Sequence, residues 1–301
     1  MTRHKPPSGP ASPTPRGAAA PSARPKPAST KRPLVTPPPF RPREPWTIIG
    51  VDCATQEERI GLARGTLDVA GRLRVERVTL GTAGESAAAN ICHWIAGQAR
   101  YIVALDAPLG WPIALGTALR THRAGVELPV PADELFHRHT DRVVHRELGK
   151  WPLAVGADRI ARTARAALGM LAEVRDILGK PMPLAWRQGR ESGVIEVSPA
   201  ATLAGRSLHG VGYKADTSAG RSARHDILQS LCGEMEIAVT HELMIEDADQ
   251  LDALLCVLGG ADFARGMCVE PDKLSVAKKE GFIWFRGAAQ GALSFSKPRN
   301  S

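Results

Sequence analysis

The chain has 301 residues, 43% of them apolar, and is long enough to bury a sizeable core as one large domain or two small ones. Its net charge of +8 arises entirely in residues 1–45, which contain nine Lys or Arg residues and one acid. Because the rest of the chain is electrically balanced, the overall charge gives no support to a nucleic-acid groove in the folded part.

The two ends of the chain are predicted to be tails. Residues 1–45 hold 14 of the 24 prolines and almost no large apolar side chains, so we predict a disordered, basic, Pro-rich tail. Residues 291–301 are predicted to form a short C-terminal tail. No stretch approaches the ~18–20 continuous apolar residues of a membrane span. The cysteines are odd in number and form no CxxC pair, which favours a cytoplasmic protein with reduced thiols.

The first predicted element is a buried strand in WTIIGVDCATQ, residues 46–56, which ends on an acid, Asp52. RIGLARGTLD and GRLRVERVTLG predict two further strands joined by a short turn at Ala70 and Gly71. The three strands are expected to form an antiparallel meander. An ionised carboxylate at the mouth of an apolar strand needs a cation, a hydrogen-bond donor or a metal.

A helix and a second strand that ends on an acid follow. GESAAANICHWIAGQA has helical apolar spacing with a cap at Ser86, and YIVALDAPLG is apolar until Asp106. Such an apolar strand is typical of the centre of a sheet covered on both faces. If the strands that end in Asp52 and Asp106 are parallel neighbours, as the crossover helix requires, their carboxylates are adjacent.

Residues from about 108 to 190 are rich in Arg and His and predict a helical insertion over the sheet. SGVIEVSPAATLAG then predicts a short strand that contains Glu196, followed by a helix with Ser198 as its N-cap. IEDADQLDALLCVLGGADFARG predicts an apolar helix that ends at Gly259 and Gly260, and EGFIWF predicts a late strand.

Acids stand where these apolar elements meet an open edge, namely Asp52, Asp106, Glu196, Asp249 and Asp252. Residues three apart share a helix face, so Asp249 and Asp252 present two carboxylates together. Clustered carboxylates share a proton or bind a divalent cation, and oxygen ligands alone suit Mg²⁺ or Mn²⁺ better than zinc. Two such ions about 3.5–4 Å apart can drive a phosphoryl displacement.

Each of these acids also has a purely structural explanation. Asp106 can cap the turn in DAPLG, Glu196 can pair with an Arg of the insertion, and Asp249 can cap its own helix. Only their joint placement at the expected topological positions favours a metal site.

Seven short motifs, in this order, resemble the family catalogued as domain of unknown function 429, a set of predicted nucleases with an RNase H-like fold. They are GVDCATQ, ALDAPLGWP, HRHTDRVVHR, IEVSPAATL, YK, DQLDALLCVLGGADFARG and EGFIWF, within residues 46–286. DQLDAL is also similar to the DxxDAL helix of RuvC-type Holliday-junction resolvases.

The resemblance implies an acid at the end of the first strand, another at the end of the fourth, and one or two on a late helix. These positions correspond to Asp52, Asp106, Asp249 and Asp252, while Glu196 belongs to the family's own IEVxPAA pattern. We expect Asp52 to bridge the metals, with Asp106 and Asp252 as flanking ligands. Asp249 and Glu196 are expected to be accessory ligands or to orient water.

Basic side chains are the second requirement of a phosphodiesterase. HRHTDRVVHRE places Arg138 and Arg142 on one helical stripe, where they are expected to hold a phosphate. The resemblance marks Arg138, Thr140, Asp141 and Arg142 as a family motif, with Asp141 able to orient an arginine. Lys214, on the Gly-rich turn GVGYKAD, is a further phosphate-binding candidate. The alternatives are a solvated, salt-bridged helix and an ordinary exposed loop.

Two other classes of function are compatible with the same strand plan. Actin-like ATPases and sugar kinases share it, but DCATQ places Cys53 and Ala54 where their phosphate-binding glycines are expected. A non-catalytic binding protein that retains the acids is the other alternative. A nuclease is expected to lose activity in EDTA, a kinase to need ATP as well, and a binding protein to be indifferent to both.

We therefore expect one α/β domain over residues 46–290, with the helical insertion at about 108–190. Its sheet is expected to be RNase H-like and mixed, with a three-stranded antiparallel meander and parallel strands, flanked by helices. The expected function is a Mg²⁺- or Mn²⁺-dependent, two-metal nuclease that acts on DNA or RNA and has no contact with membranes.

Overall fold

The computed structural model describes residues 42–287, apart from residues 82–83, 157 and 209. The predicted C-terminal tail, and all but the last four residues of the predicted N-terminal tail, lie outside the described residues. None of the described helices is both long enough and apolar enough to cross a membrane.

Six strands of the described residues form one mixed sheet. They are β1 (Trp46–Asp52), β2 (Gly61–Leu67), β3 (Leu73–Leu80), β4 (Tyr101–Asp106), β5 (Gly193–Glu196) and β6 (Met235–Ile237). Their order across the sheet is β5-β4-β1-β2-β3-β6. β2 is antiparallel to β1 and β3, whereas β4 is parallel to β1 and β5, and β6 is parallel to β3.

Helices connect and flank these strands. They are α1 (Ala87–Ile95), α2 (Ile113–Leu119), α3 (Ala132–Phe136), α4 (His139–Leu148), α5 (Asp158–Leu178), α6 (Pro199–Ala204), α7 (Ser218–Leu231), α8 (Glu242–Glu246), α9 (Ala248–Ala264) and α10 (Leu274–Glu280). The four helices α2 to α5 lie between β4 and β5 and constitute the predicted helical insertion. The meander, the parallel β4 and β5 and the insertion confirm the predicted RNase H-like α/β fold.

The sheet is covered by apolar side chains on both faces. Along β1, Ile48 packs on the face that carries α9, whereas Ile49 and Val51 pack on the face that carries α1 and α5. The pleat of a strand sends alternate side chains to opposite faces. Both faces of β1 are therefore buried, as the continuous apolar run WTIIGV predicts.

Helix α9 lies unusually close to the centre of the sheet, and two glycines make the approach possible. A Cβ atom on Gly50 of β1 would stand 2.1 Å from the carbonyl oxygen of Ala253, and one on Gly61 of β2 would stand 2.2 Å from that of Asp249. Any larger residue would push the helix outwards. This close packing brings the first turns of α9 to the carboxyl end of β1.

Three details differ from the sequence prediction. EGFIWF is not a continuous strand: Ile283 forms a single bridge to Glu196, and Arg286, which follows the motif, forms another to Cys268. Gly259 and Gly260 lie inside α9 and do not end it. A Cβ atom on Gly260 would stand 2.6 Å from a methyl carbon of Ile48, so the glycine lets α9 pack closely on β1. The short strand β6 was not predicted, since three residues are too few to show periodicity.

Candidate metal centre

Three carboxylates meet at the carboxyl ends of the central strands. Asp52 ends β1, Asp106 ends β4, and the two residues are direct register partners in the parallel pair. Asp252 comes from the second turn of α9, and one ligand oxygen of each of the three carboxylates lies within 4.8 Å of the others. Asp252 is buried, whereas Asp52 and Asp106 are half-buried and border a cleft.

Strand alternation explains why the first two side chains point the same way. Ile48 on β1 and Ile102 and Ala104 on β4 belong to the core on the α9 face. Because side chains repeat every second residue, Asp52 and Asp106 project towards α9 as well. The same alternation sends Glu196 of β5 to the opposite face, because Val194 packs against α1 and α5.

Burial is the first cause that raises the pKa values of the three carboxylates, and neighbouring acids add to it. Burial, followed by the charges of Asp252 and Asp106, holds the pKa of Asp52 well above its usual range. Burial raises the pKa of Asp106 to about 7, although the nearby Lys214 acts in the opposite direction. Burial also raises the pKa of Asp252. A bound cation stabilises the ionised forms of such carboxylates. The three carboxylate oxygens therefore fit a divalent ion.

A tyrosine and a lysine from one loop fix the position of Asp252. The Tyr213 hydroxyl donates a 2.5 Å hydrogen bond to Oδ1 of Asp252, and Lys214 Nζ lies 2.5 Å from Oδ2. Burial alone would lower the pKa of Lys214, but Asp252 and Asp106 raise it above its ordinary value. Lys214 is therefore an ammonium group that already neutralises part of the carboxylate cluster.

The loop that carries these two residues is tied down by Arg224 of α7. Its buried guanidinium donates to the carbonyl oxygens of Tyr213 and Ala215 on the loop. It also donates to those of Ile245 and Glu246, at 2.6 and 3.4 Å, just before α9 begins. Sequence reasoning missed Tyr213 and Arg224 as positioning residues. For Tyr213 the available signal was the YK motif, of which it is the first residue.

Asp249 lies beside the three clustered carboxylates and has another partner. Its Oδ2 accepts a 2.7 Å hydrogen bond from Arg59 Nε on the short 3-10 helix Glu57–Arg59. The N-cap of α9 is Asp247, whose Oδ1 accepts from the backbone N–H groups of Asp249 and Gln250. Asp249 therefore faces the same cleft as Asp52 but forms a partly exposed ion pair at its edge.

Glu196 belongs to a buried charge network. Arg138 donates to both of its carboxylate oxygens, at 2.7 and 2.8 Å, and the Leu109 N–H donates at 3.0 Å. Asp141 accepts from the Arg138 guanidinium and from its backbone N–H. Arg138 is only 1% exposed, and its guanidinium donates to protein groups. These contacts favour a structural role over the predicted phosphate contact.

The other members of the predicted basic motif do not meet at one surface. Helix α4 begins after Arg138, so the expected stripe of arginines is not formed, and the exposed Arg142 donates to the carbonyl oxygens of Asp133 and His137. Thr140 is buried, and its hydroxyl accepts from the Ile283 N–H at 2.9 Å. Neither residue lines the cleft, so their role in substrate binding stays a prediction.

The cleft has a volume of about 630 Å³, with Asp52 and Asp106 on its floor. Residues of the insertion also line it, namely Lys150, Trp151, Leu153, Arg159 and Arg162. Sequence reasoning did not select these residues, because a lone GKWPL segment between two helices has no diagnostic spacing. Only the fold of the insertion brings these cations into the same cleft as the acids.

The fold and the acids define this chain as an α/β protein with an RNase H-like sheet and a carboxylate cluster at the strand ends. The chain belongs to the family described as Protein of unknown function (DUF429), which it matches over residues 50–275. This match confirms the family that the sequence motifs indicated.

Among solved structures, the chain is similar to T. thermophilus RuvC in complex with Holliday junction substrate. The identity is 12% and the TM-score 0.30, over 72% of this chain and 94% of that chain. At this TM-score the similarity transfers no residue role, and the fold assignment rests on strand order and register. No curated protein matches the chain.

Proposed function

We propose that this protein is a divalent-metal-dependent phosphodiesterase that acts on nucleic acid. The observation that carries the proposal is the convergence of Asp52, Asp106 and Asp252, whose ligand oxygens lie within 4.8 Å of one another. Asp52 and Asp106 line a cleft at the carboxyl ends of the strands, where ligands collect in α/β sheets of this kind.

We propose Mg²⁺ or Mn²⁺ as the ion, because the donor set contains only carboxylate oxygens. When bound, such an ion supplies an activated water and stabilises the leaving oxygen. The three carboxylates and the Lys214 ammonium leave two formal negative charges, which one divalent ion neutralises. The two-ion arrangement expected from the sequence stays a prediction.

The chain's own residues support this role in two ways. Tyr213 and Lys214 hold Asp252 in place from one side, and strand register holds Asp52 against Asp106 from the other. The substrate is a polyanion, which an acidic floor alone would repel. Arg59, Lys150, Arg159 and Arg162 line the same cleft and provide the compensating positive charge.

The test is cleavage of labelled single-stranded, duplex, hybrid and four-way-junction substrates with Mg²⁺, Mn²⁺ or EDTA. Wild type is compared with Asp52→Asn and with the control Asp176→Asn. Asp176 is an exposed aspartate on the last turn of α5, about 20 Å along the helix from the cleft residue Thr163. Mn²⁺ binding by calorimetry is measured on the same three proteins.

We expect metal-dependent cleavage by wild type and the control, and at least a ~100-fold loss in Asp52→Asn together with weaker Mn²⁺ binding. Equal cleavage by Asp52→Asn would contradict the proposal. ATP hydrolysis without cleavage of any nucleic acid would move the assignment to the actin-like kinase alternative.

A further inference from the structure

Trp151 has a large exposed ring in the wall of the cleft. It lies between α4 and α5, it is 44% exposed, and the neighbouring Leu153 is 69% exposed. Both residues line the cleft that contains Asp52 and Asp106. Exposed apolar side chains beside a charged site are typical of a ligand-binding surface. Their contact with water is unfavourable until a ligand covers them.

The indole ring is held in position from behind. The His145 imidazole stacks on it with ring centroids 4.2 Å apart and an angle of 16° between the planes, and the His137 ring lies 4.7 Å away at 53°. Both histidines come from α4 or from the residues just before it. Trp151 is therefore a positioned ring with its remaining surface open, which is the arrangement of a stacking platform.

Three cations line the same cleft as this ring. Lys150 precedes it, and Arg159 and Arg162 lie on the first turns of α5 in the same cleft. Among residues 42–287 as described, no carboxylate lies within ion-pair distance of Lys150 or Arg159, and Arg162 is only 3.8 Å from the exposed Asp158. These charges are available to phosphates, and cations interleaved with an aromatic ring are typical of sites that bind unpaired nucleotides.

We infer that Trp151 stacks on an unpaired base of the substrate while Lys150, Arg159 and Arg162 contact the adjoining phosphates. In a duplex, neighbouring bases cover both faces of each base, so an indole can stack only on a base that has left the helix. The cleft volume of about 630 Å³ lies within the range of pockets for small ligands. The site therefore selects single-stranded or locally unpaired nucleic acid over fully paired duplex.

This inference rests on the proposed function for its substrate, but its test does not depend on cleavage. Binding of labelled single-stranded and duplex oligonucleotides to the full chain is measured by fluorescence anisotropy in EDTA. The variants are Trp151→Ala, Trp151→Phe, which keeps an aromatic face, and Ile177→Ala, a control that truncates an exposed apolar residue of α5 outside the cleft. The basic N-terminal segment is present in every protein, so its contribution is constant.

We expect Trp151→Ala to bind single strands roughly tenfold more weakly, Trp151→Phe to recover most of the loss, and duplex binding to change little. Arg159→Ala is expected to weaken binding to every sequence and to reduce the salt dependence by about one phosphate contact. Unchanged single-strand affinity in Trp151→Ala would overturn the inference, as would binding of a mononucleotide but of no oligonucleotide. Trp151 is exposed, so its substitution is expected to leave the melting temperature unchanged. Equal melting temperatures of the variants and wild type would show that the variants are folded.

The two proposals fail separately. If Trp151→Ala loses single-strand binding but wild type cleaves nothing, the proposed function fails and the binding site stands. If wild type cleaves with metal and Trp151→Ala binds single strands as tightly as wild type, the inference fails and the proposed function stands.

Discussion

Asp52 and Asp106 are register partners at the carboxyl ends of two parallel strands, and both point towards α9. Burial is the main cause that disfavours their ionised forms, and for Asp52 the charge of Asp106 adds to it. The cluster is therefore a source of instability that a bound cation removes. This property gives the proposed metal centre a signature in stability as well as in activity.

The first prediction concerns the pH dependence of stability without metal. The pKa of Asp106 is about 7 in the folded protein, against an ordinary value of 3.8. Between these values the folded chain binds more protons than the unfolded chain, so stability falls as pH rises from about 4 to 7. We expect Asp106→Asn to be more stable than wild type in EDTA at pH 8, by about 1–3 kcal/mol, with the difference shrinking towards pH 5.

Urea denaturation at several pH values measures this difference, with Asp176→Asn as the control. Added Mg²⁺ is expected to stabilise wild type and to have little effect on Asp106→Asn. An Asp106→Asn variant that is less stable than wild type at pH 8 would be evidence against a strained carboxylate cluster.

The second prediction concerns the lysine that faces Asp252. Without the Lys214 ammonium, the carboxylates lose their nearest positive charge, so Lys214→Met is expected to lower stability at pH 8 in EDTA by about 1 kcal/mol or more. Mn²⁺ is expected to restore more stability to this variant than to wild type. Thermal denaturation with and without Mn²⁺ tests this, with Lys150→Met as a matched control from the same cleft.

Titration calorimetry on the same proteins counts the ions. One Mn²⁺ per wild-type chain would agree with the charge balance of three carboxylates and one lysine. Two ions per chain would instead support the two-metal arrangement expected from the sequence.

The third prediction concerns the approach of α9 to the sheet. A Cβ atom at position 50 would lie 2.1 Å from the Ala253 carbonyl oxygen, so Gly50→Ala must displace the helix that carries Asp252. We expect a loss of at least ~2 kcal/mol in stability, together with weaker Mn²⁺ binding. Gly116→Ala in α2, where a Cβ meets nothing within 4 Å, is the control and is expected to be neutral or slightly stabilising.

The fourth prediction separates the two arginines of the predicted basic motif. Arg138→Ala leaves the Glu196 and Asp141 carboxylates buried without their partner, and we expect a loss of about 3–5 kcal/mol in stability. Arg142 is exposed, so Arg142→Ala is expected to stay within about 0.5 kcal/mol of wild type. Urea denaturation measures both, and a fully stable Arg138→Ala with impaired substrate binding would restore the phosphate-binding role.

Much of the fold follows from local patterns in the sequence. The apolar runs of β1 and β4, the turn at Ala70 and Gly71, and the Ser86 cap, which accepts from the Ala89 N–H, are local features. The order of these elements, with a crossover helix before β4, restricts β1 and β4 to a parallel pair. Asp52 and Asp106 could therefore be placed side by side from the sequence alone.

Only the tertiary structure decided which of the other charged residues join them. Asp249 and Asp252 share a helix face, but the close approach of α9 brings Asp252 into the cluster, while Arg59 pairs with Asp249. Glu196 and Arg138 are 58 residues apart in the sequence and form a buried ion pair. Short spacing rules describe neighbours along one element, whereas a long-range partner depends on how the elements pack. Local patterns therefore predicted the carboxylate cluster, whereas only the packing of the insertion brought Trp151 and its neighbouring cations into the same cleft.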